Sequence, residues 1–233
     1  MMSWLYEIAH IIKDKFGFLW DAIEWGNAEA FALMHHKAMR GLPELLEECS
    51  GRYSLRLASQ EDVSRMKSFF DVQPTEAFRF FQPHDFDEKG IRKVVLNKSF
   101  LTFLAMEGDE IVGYFFMHSF VNGKTFKGYI VGIDHRGMGV AGEIGIAMNR
   151  IAKELGLRMF KSISPENPAS MAVTKKVNDI KIIKTLNNGA MLIECFEKAD
   201  SQRVIGGGYL CLIELELVNW PLGLQVEPSM MAA

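Results

Sequence analysis

The segment Tyr129-Ile130-Val131-Gly132-Ile133-Asp134-His135-Arg136-Gly137-Met138-Gly139-Val140-Ala141-Gly142 constrains this chain more than any other. Tyr129 to Ile133 is an apolar run that reads as a strand. It stops at Asp134-His135-Arg136, passes two glycines and enters a long helical pattern. Strand, glycine-rich turn and helix start together make a diphosphate site. Glycines let the backbone approach the ligand, and the free N–H groups and dipole of a helix N-terminus favour negative charge. The segment predicts a phosphorylated cofactor.

The flanking pattern supplies the context. Leu5, Ile8 and Ile12 recur at helical spacing, and Leu19, Ile23, Phe31 and Met34 continue it to about residue 40. Gly41-Leu42-Pro43 breaks the pattern, and Pro43 is expected to open a short helix through Leu46. Tyr53 to Ala58 alternates as a strand, and Ser59 is a suitable N-cap for a helix Gln60–Phe70 with Asp62 in its first turn. Residues 72–85 form a loop rich in aromatics, and a further helix runs from Asp85 to Asn97. Strands follow at Phe100–Met106, Glu110–Phe120 and Thr125–Ile133, joined by Glu107-Gly108-Asp109 and Asn122-Gly123 turns. After the glycine turn come a helix Val140–Leu155 ended by Gly156, a strand Leu157–Ile163 and a helix Asn167–Val177. Closing strands are expected at Ile180–Thr185, Met191–Phe196 and Tyr209–Leu217, with a frayed tail at Ser229–Ala233.

Composition removes several function classes. A net charge of −3 and a pI of about 6.1 argue against nucleic acid as a partner, which requires a basic face. Cys49, Cys195 and Cys211 are far apart with no C-x-x-C, so neither a disulfide framework nor a zinc site is expected. His35-His36 are adjacent and do not share a helix face, which makes a poor metal site. Glu7 and His10 interrupt the first apolar stretch, and no run reaches the length of a membrane span, so the expected setting is the cytoplasm with no membrane partner.

Two known signatures fit the glycine turn. Gly137-x-Gly139-x-x-Gly142 matches the dinucleotide-binding fingerprint by letter, with Glu166 as a candidate ribose acid. That fold needs consecutive parallel βαβ units, whereas this turn follows a three-strand antiparallel meander. Arg136-Gly137-Met138-Gly139-Val140-Ala141 resembles the Arg/Gln-x-x-Gly-x-Gly/Ala signature of the GNAT superfamily of N-acetyltransferases. Asn167-Pro168-Ala169-Ser170, after the next strand, resembles the family's Asn-x-x-Ala/Ser motif. The resemblance covers about residues 52–217.

It implies an α+β fold, a mixed and mostly antiparallel twisted sheet flanked by helices, of the acyl-CoA N-acyltransferase type. The chain then divides into an N-terminal helical extension (1–50), an acetyltransferase-like domain (51–218) and a C-terminal tail (219–233). Acetyl-CoA is the implied cosubstrate. Backbone N–H groups of Gly137, Met138, Gly139, Val140 and Ala141 would hold its pyrophosphate, with Arg136 adding charge. Main-chain groups of Val131 and Ile133 would pair with pantetheine. Asn167 and Ser170 would meet the same arm, although Asn167 before Pro168 is also a good N-cap.

The implied chemistry is direct attack of a primary amine on the thioester in a ternary complex. It needs a group to take the ammonium proton, donors for the oxyanion and an acid for the thiolate. The family often carries a tyrosine seven residues after the Asn; here that position is Thr174. Candidate catalytic groups are His118, Tyr129 and Asp134, with Tyr114, Glu110 and His135 nearby in sequence. Phe78, Phe80 and Phe81 would line an acceptor wall or simply form a buried cluster. The expected acceptor is a small-molecule amine, and the N-terminal helices are a candidate homodimer surface. The competing readings are a non-catalytic acyl-CoA binding module, motivated by Thr174, a partner protein working through residues 1–50, and an NAD-type dinucleotide-binding protein.

Overall fold

The apolar runs and their hairpin turns become a seven-stranded sheet in the computed structural model, which describes residues 17–198. The strands are β1 (Ser54–Leu57), β2 (Phe100–Glu107), β3 (Glu110–Ser119), β4 (Lys124–Val131), β5 (Arg158–Ile163), β6 (Asn178–Thr185) and β7 (Met191–Glu197). Their order across the sheet is β1-β2-β3-β4-β5-β7-β6. Every neighbouring pair is antiparallel except β4 and β5, which run parallel. The helices are α1 (Gly17–Met34), α2 (His36–Cys49), α3 (Val63–Asp71), α4 (Glu88–Leu96), α5 (Val140–Glu154) and α6 (Pro168–Val177). This is the mixed, mostly antiparallel sheet with flanking helices that the sequence implied.

Helices cover both faces of the central strands, so β2 and β3 read as continuous apolar runs rather than alternating ones. One face, here the α5 face, carries Leu101, Phe103, Phe115 and Met117 against Ile144, Met148 and Ile151 of α5. Leu42 and Leu46 of α2 and Phe31 of α1 join the same core. The opposite, α3 face carries Leu104, Tyr114, Phe116 and Ile130 against Met66 and Phe70 of α3 and Ile91 of α4. Gly113 of β3 lets the start of α5 lie close. A Cβ there would stand 3.1–3.2 Å from Ile144 and Val140.

Three local expectations change. Pro43 sits inside α2 instead of opening a new helix, and the break falls earlier, between Met34 and His36. Proline removes one donor to the preceding turn. Leu42 and Leu46, one turn apart and fully buried, hold the helix through that defect. β4 ends at Val131, and Ile133–His135 forms a short 3-10 turn. The helix expected from Asp85 begins at Glu88, capped by the Asp87 carboxylate, which accepts from the Gly90 N–H at 2.7 Å. The helix at residues 2–15, the strand at Tyr209–Leu217, Cys211 and the tail at Ser229–Ala233 lie outside the described residues.

Two polar clusters fasten the periphery. Asn27 of α1 is buried; its amide donates to Ser99 Oγ and the Ser119 carbonyl, both at 3.0 Å, and its oxygen accepts from the Val121 N–H at 3.2 Å. Asp62, just before α3, accepts both the N–H (2.9 Å) and hydroxyl (3.1 Å) of Ser59. The Arg56 guanidinium grips the same carboxylate at 2.6–2.7 Å. That guanidinium, with Ser59, holds the Asp62 carboxyl down at about 2, from an ordinary 3.8, against the opposing effect of burial. The stabilisation is therefore complete above pH 4 and is lost as pH falls towards 2. Asp62→Ala should cost about 2 kcal/mol at pH 7, the scale of a lost helix cap plus a partly exposed ion pair. Urea unfolding of both proteins from pH 7 to pH 2 checks this, and the difference should shrink at the acid end.

Candidate functional site

The site grows from the one parallel strand pair. β4 and β5 are in register only at Lys124–Arg158, Thr125–Met159 and Phe126–Phe160. Beyond Phe126, β4 stays paired with β3 up to Val131, while β5 stays paired with β7 up to Ile163. The two strands part, and the edges they turn towards each other have no strand partner. The result is a notch that is closed at Phe126 and Phe160 and opens towards the ends of both strands. A cavity of about 300 Å³ at the end of β4 is lined by Phe69, Gln73, Glu110, Ile133 and Asp134, among others. Another of about 370 Å³ at the end of β5 is lined by Asn167, Pro168, Met171 and Met191, among others.

The glycine turn stands at the mouth of this notch. Gly137 (φ +79°) and Gly139 (φ +94°) are both in the left-handed region that other residues enter at a cost. Gly139 is the residue before the first turn of α5. A Cβ added at 137, 139 or 142 would meet nothing within 4 Å, so the turn faces open space. The N–H groups of Gly137 and Gly139 have no acceptor among the described residues. Those of Val140 and Ala141 belong to a first helical turn, where no intrahelical carbonyl is available. The Met138 N–H is partly engaged, 3.4 Å from the His135 carbonyl.

The turn is anchored from behind. Glu143, in the first turn of α5, accepts the backbone N–H groups of Arg52 and Tyr53 at 3.2 Å. The Tyr53 hydroxyl reaches back to the Met138 carbonyl at 3.4 Å. His135 Nε2 lies 3.2 Å from the Glu107 carboxylate. A helix N-terminus is thus fixed at the end of a strand, with unsatisfied donors pointing outward and room above them.

Comparison with known proteins agrees with this geometry. No family model matches the sequence, and no curated protein matches it. Solved structures do match. The GNAT domain of S. lividans PAT superposes with a TM-score of 0.54 at 17% identity, over 64% of this chain and 92% of that one. Aminoglycoside acetyltransferase AAC(6')-Ib, solved with coenzyme A and kanamycin, gives 0.52 at 13% identity, over 65% and 98%. The ribosomal-protein-S5-alanine acetyltransferase from Vibrio fischeri gives 0.51 at 15%, over 64% and 96%. The chain has the GNAT fold.

Within that fold the expected residues separate into groups. Val131 lies on the α5 face at the open end of the notch, and its carbonyl is 3.5 Å from Arg136 Nε. Ile133 has left the strand, and its N–H donates to Gln73 Oε1 at 3.0 Å. That N–H is committed to the protein, which leaves the Ile133 carbonyl as the main-chain group for the expected pantetheine contact. Gln73, buried between α3 and this turn, was not singled out from sequence. Asn167 caps α6 by accepting the Ser170 N–H at 3.0 Å, which leaves its amide N–H groups free beside the second cavity. Thr174, at the position where the resemblance led us to look for a tyrosine, is buried and donates to the Ser170 carbonyl at 2.7 Å.

The three catalytic candidates do not converge. His118 is buried on the α3 face near the closed end, against Phe100 and Phe120, and 3.9 Å from Glu24 of α1. Neither ring nitrogen has a hydrogen-bond partner among the described residues, and burial lowers its pKa. Asp134 is exposed at the first cavity with Glu110. Tyr129 lies on the α5 face of β4, its hydroxyl buried without a partner and pushed up to about 12 by burial. Phe78 and Phe81 pack against the α3-face core around Phe86, so they are mainly a hydrophobic cluster. Its His84 Nδ1 bonds the Asp85 carbonyl at 2.7 Å, so Nε2 is left to accept from the Tyr114 hydroxyl at 2.8 Å.

Sequence reasoning missed two lysines. Lys127 of β4 and Lys161 of β5, the first residues past the last strand pair, are only 5% and 9% exposed. Lys127 Nζ bonds Asn178 Oδ1 at 3.3 Å, while Lys161 Nζ lies 4.3 Å from the Tyr129 ring and makes no hydrogen bond among the described residues. Burial, reinforced by the positive charge of Lys127, holds Lys161 down at about 7. Between pH 7 and the ordinary 10.5 the unfolded chain binds a proton that the folded one does not. Lys161 therefore penalises folding fully below pH 7, and the penalty fades as pH approaches 10.5. Lys161→Met should raise the melting temperature at pH 6–7, with the gain shrinking towards pH 10. A constant or rising gain in calorimetric scans across that range would contradict this account.

Proposed function

We propose that the protein is an acetyl-CoA-dependent N-acetyltransferase acting on the primary amine of a small molecule by direct attack in a ternary complex. The observation that carries this reading is the outward-facing turn at Gly137 and Gly139, set at the mouth of the β4–β5 notch. Its donor set fits a diphosphate. It offers several convergent N–H groups, a helix dipole and open space where any side chain would intrude. Arg136, exposed beside the turn, adds charge. Asn167 and Ser170 lie across the mouth and would meet the pantetheine arm, as would the free edge of β4 near Val131. Acetyl-CoA supplies the activated acyl group.

The chain's own residues must then place the amine and take its proton. Asp134 and Glu110 share the wall of the open cavity at the end of β4 and would attract an ammonium group there. Of the three candidates, Asp134 is the one that solvent and substrate can reach. His118 is enclosed by aromatic rings and α1. Tyr129 stays protonated to about pH 12 and is a donor, not a base. The structures solved with aminoglycosides favour a small amine as the acceptor class. The N-terminal helices remain our proposed homodimer surface, with Trp25, Leu33 and Met34 exposed on α1. A monomeric mass by light scattering would remove that part.

Titration calorimetry with acetyl-CoA, with NAD as the control, tests the cofactor. Acetyl-CoA should bind in the micromolar range and NAD should not. Gly139→Arg and Gly137→Glu should abolish binding, whereas Gly142→Ala, in open space with an ordinary helical backbone, should preserve it. Unchanged affinity in the first two variants would defeat the reading. In a thiol-release assay over a panel of amines, Asp134→Asn should lower kcat/KM by about 100-fold, the lower end for loss of a general base.

A further inference from the structure

The closed end of the notch has more donors than acceptors. Among the described residues Lys161 Nζ makes no hydrogen bond and lies over the Tyr129 ring, the buried Tyr129 hydroxyl has no partner, and Lys127 has one neutral acceptor for three N–H groups. Among the described residues no carboxylate pairs with either lysine. The titratable groups around Lys161 are Lys127 and Tyr129 on β4 and Cys195 on β7. A second ammonium, a phenol and a thiol leave the excess of positive charge and donors uncompensated. Buried donors without acceptors are costly, and two buried lysines side by side more so. An anion with several acceptor oxygens would suit this set of donors.

Its place says what carries it. Lys127 and Lys161 follow directly on Phe126 and Phe160, where the strands part. They share the α5 face with Val131 and Tyr129, the face to which the phosphate-binding turn belongs. That is the cosubstrate's side of the sheet. The open cavity lies towards α3, on the other side of the sheet, and its lining mixes Asp134 and Glu110 with Arg65 and His135.

We propose that Lys161, supported by Lys127 and the Tyr129 hydroxyl, is a carboxylate site at the end of the notch, which selects acyl-CoAs whose short acyl chain ends in a carboxylate, of malonyl to glutaryl length, over neutral chains of equal length. The proposal rests on the reading of the notch as the coenzyme A site. An ammonium–carboxylate contact is a charge-assisted hydrogen bond, stronger than a neutral one. A bound carboxylate would also draw Lys161 back to its charged form, so binding near neutral pH takes up protons and weakens as pH rises.

Titration calorimetry of the full chain at pH 7 with acetyl-CoA, butyryl-CoA and succinyl-CoA separates the two levels. Succinyl-CoA should bind at least about tenfold more tightly than butyryl-CoA, with proton uptake visible as a dependence of heat on buffer. The gap should close in Lys161→Met and persist in Lys161→Arg, which keeps the charge. Thermal scans confirm that both variants fold. Equal affinity for succinyl-CoA and butyryl-CoA, with acetyl-CoA still bound, overturns the carboxylate site and leaves the coenzyme reading standing. Failure of all three thioesters to bind overturns that reading and the proposal with it. Absence of the gap together with Lys161-dependent binding of free glutamate would assign the carboxylate to the acceptor and overturn the acyl-chain assignment.

Discussion

Two parallel strands that pair over three residues and then separate govern the rest of this molecule. β4 is tied on its other side to β3, and β5 to β7, so each strand follows its own partner and the gap between them is part of the folded state. A strand edge left inside a protein carries main-chain donors and acceptors that need partners. A ligand that brings amides of its own can supply them. The crossover from β4 to β5 runs through α5, so the same connection that makes the strands parallel also sets a helix N-terminus at the mouth of the gap. Gly113 lets that helix lie tight on the sheet, and Glu143 ties its first turn to the chain entering β1. Strand divergence, helix placement and the outward-facing glycine turn are one geometrical solution.

Much of this was legible in the sequence because its causes are local. Gly137 and Gly139 mark a turn wherever they sit, since both need a left-handed backbone. The hairpins at Gly108 and Gly123 are written in the same way, again with positive φ. The helical repeat Ile144, Met148, Ile151 faces the sheet as its spacing requires. Pro43 misled because its local preference was outweighed by the burial of Leu42 and Leu46, which depends on β1 and α5. Ile133 misled because an apolar residue after a strand looks like more strand, whereas Gln73, sixty residues earlier, captures its N–H.

The lysines were the hardest to read. Alternation along β4 sets Lys127 on the same side as Thr125, Tyr129 and Val131, and along β5 it sets Lys161 with Met159 and Ile163. A lysine on an inward face was therefore visible as an anomaly. That the two become neighbours depends on a strand pairing across more than thirty residues, which no local pattern reports. The positions at which local rules fail, Lys127 and Lys161, lie in the notch and not in the hydrophobic layers.

Asn27 has a consequence for the order in which the chain assembles. Its three hydrogen bonds span sequence separations of 72, 92 and 94 residues and reach the start of β2 and the β3–β4 hairpin. Closing loops of that size costs chain entropy before any contact repays it. The partners Ser99, Ser119 and Val121 also converge only when the meander is already folded. That entropy cost favours docking of α1 after the hairpin has formed. The Asn27 amide is satisfied only when the start of β2 and the β3–β4 hairpin have been brought together.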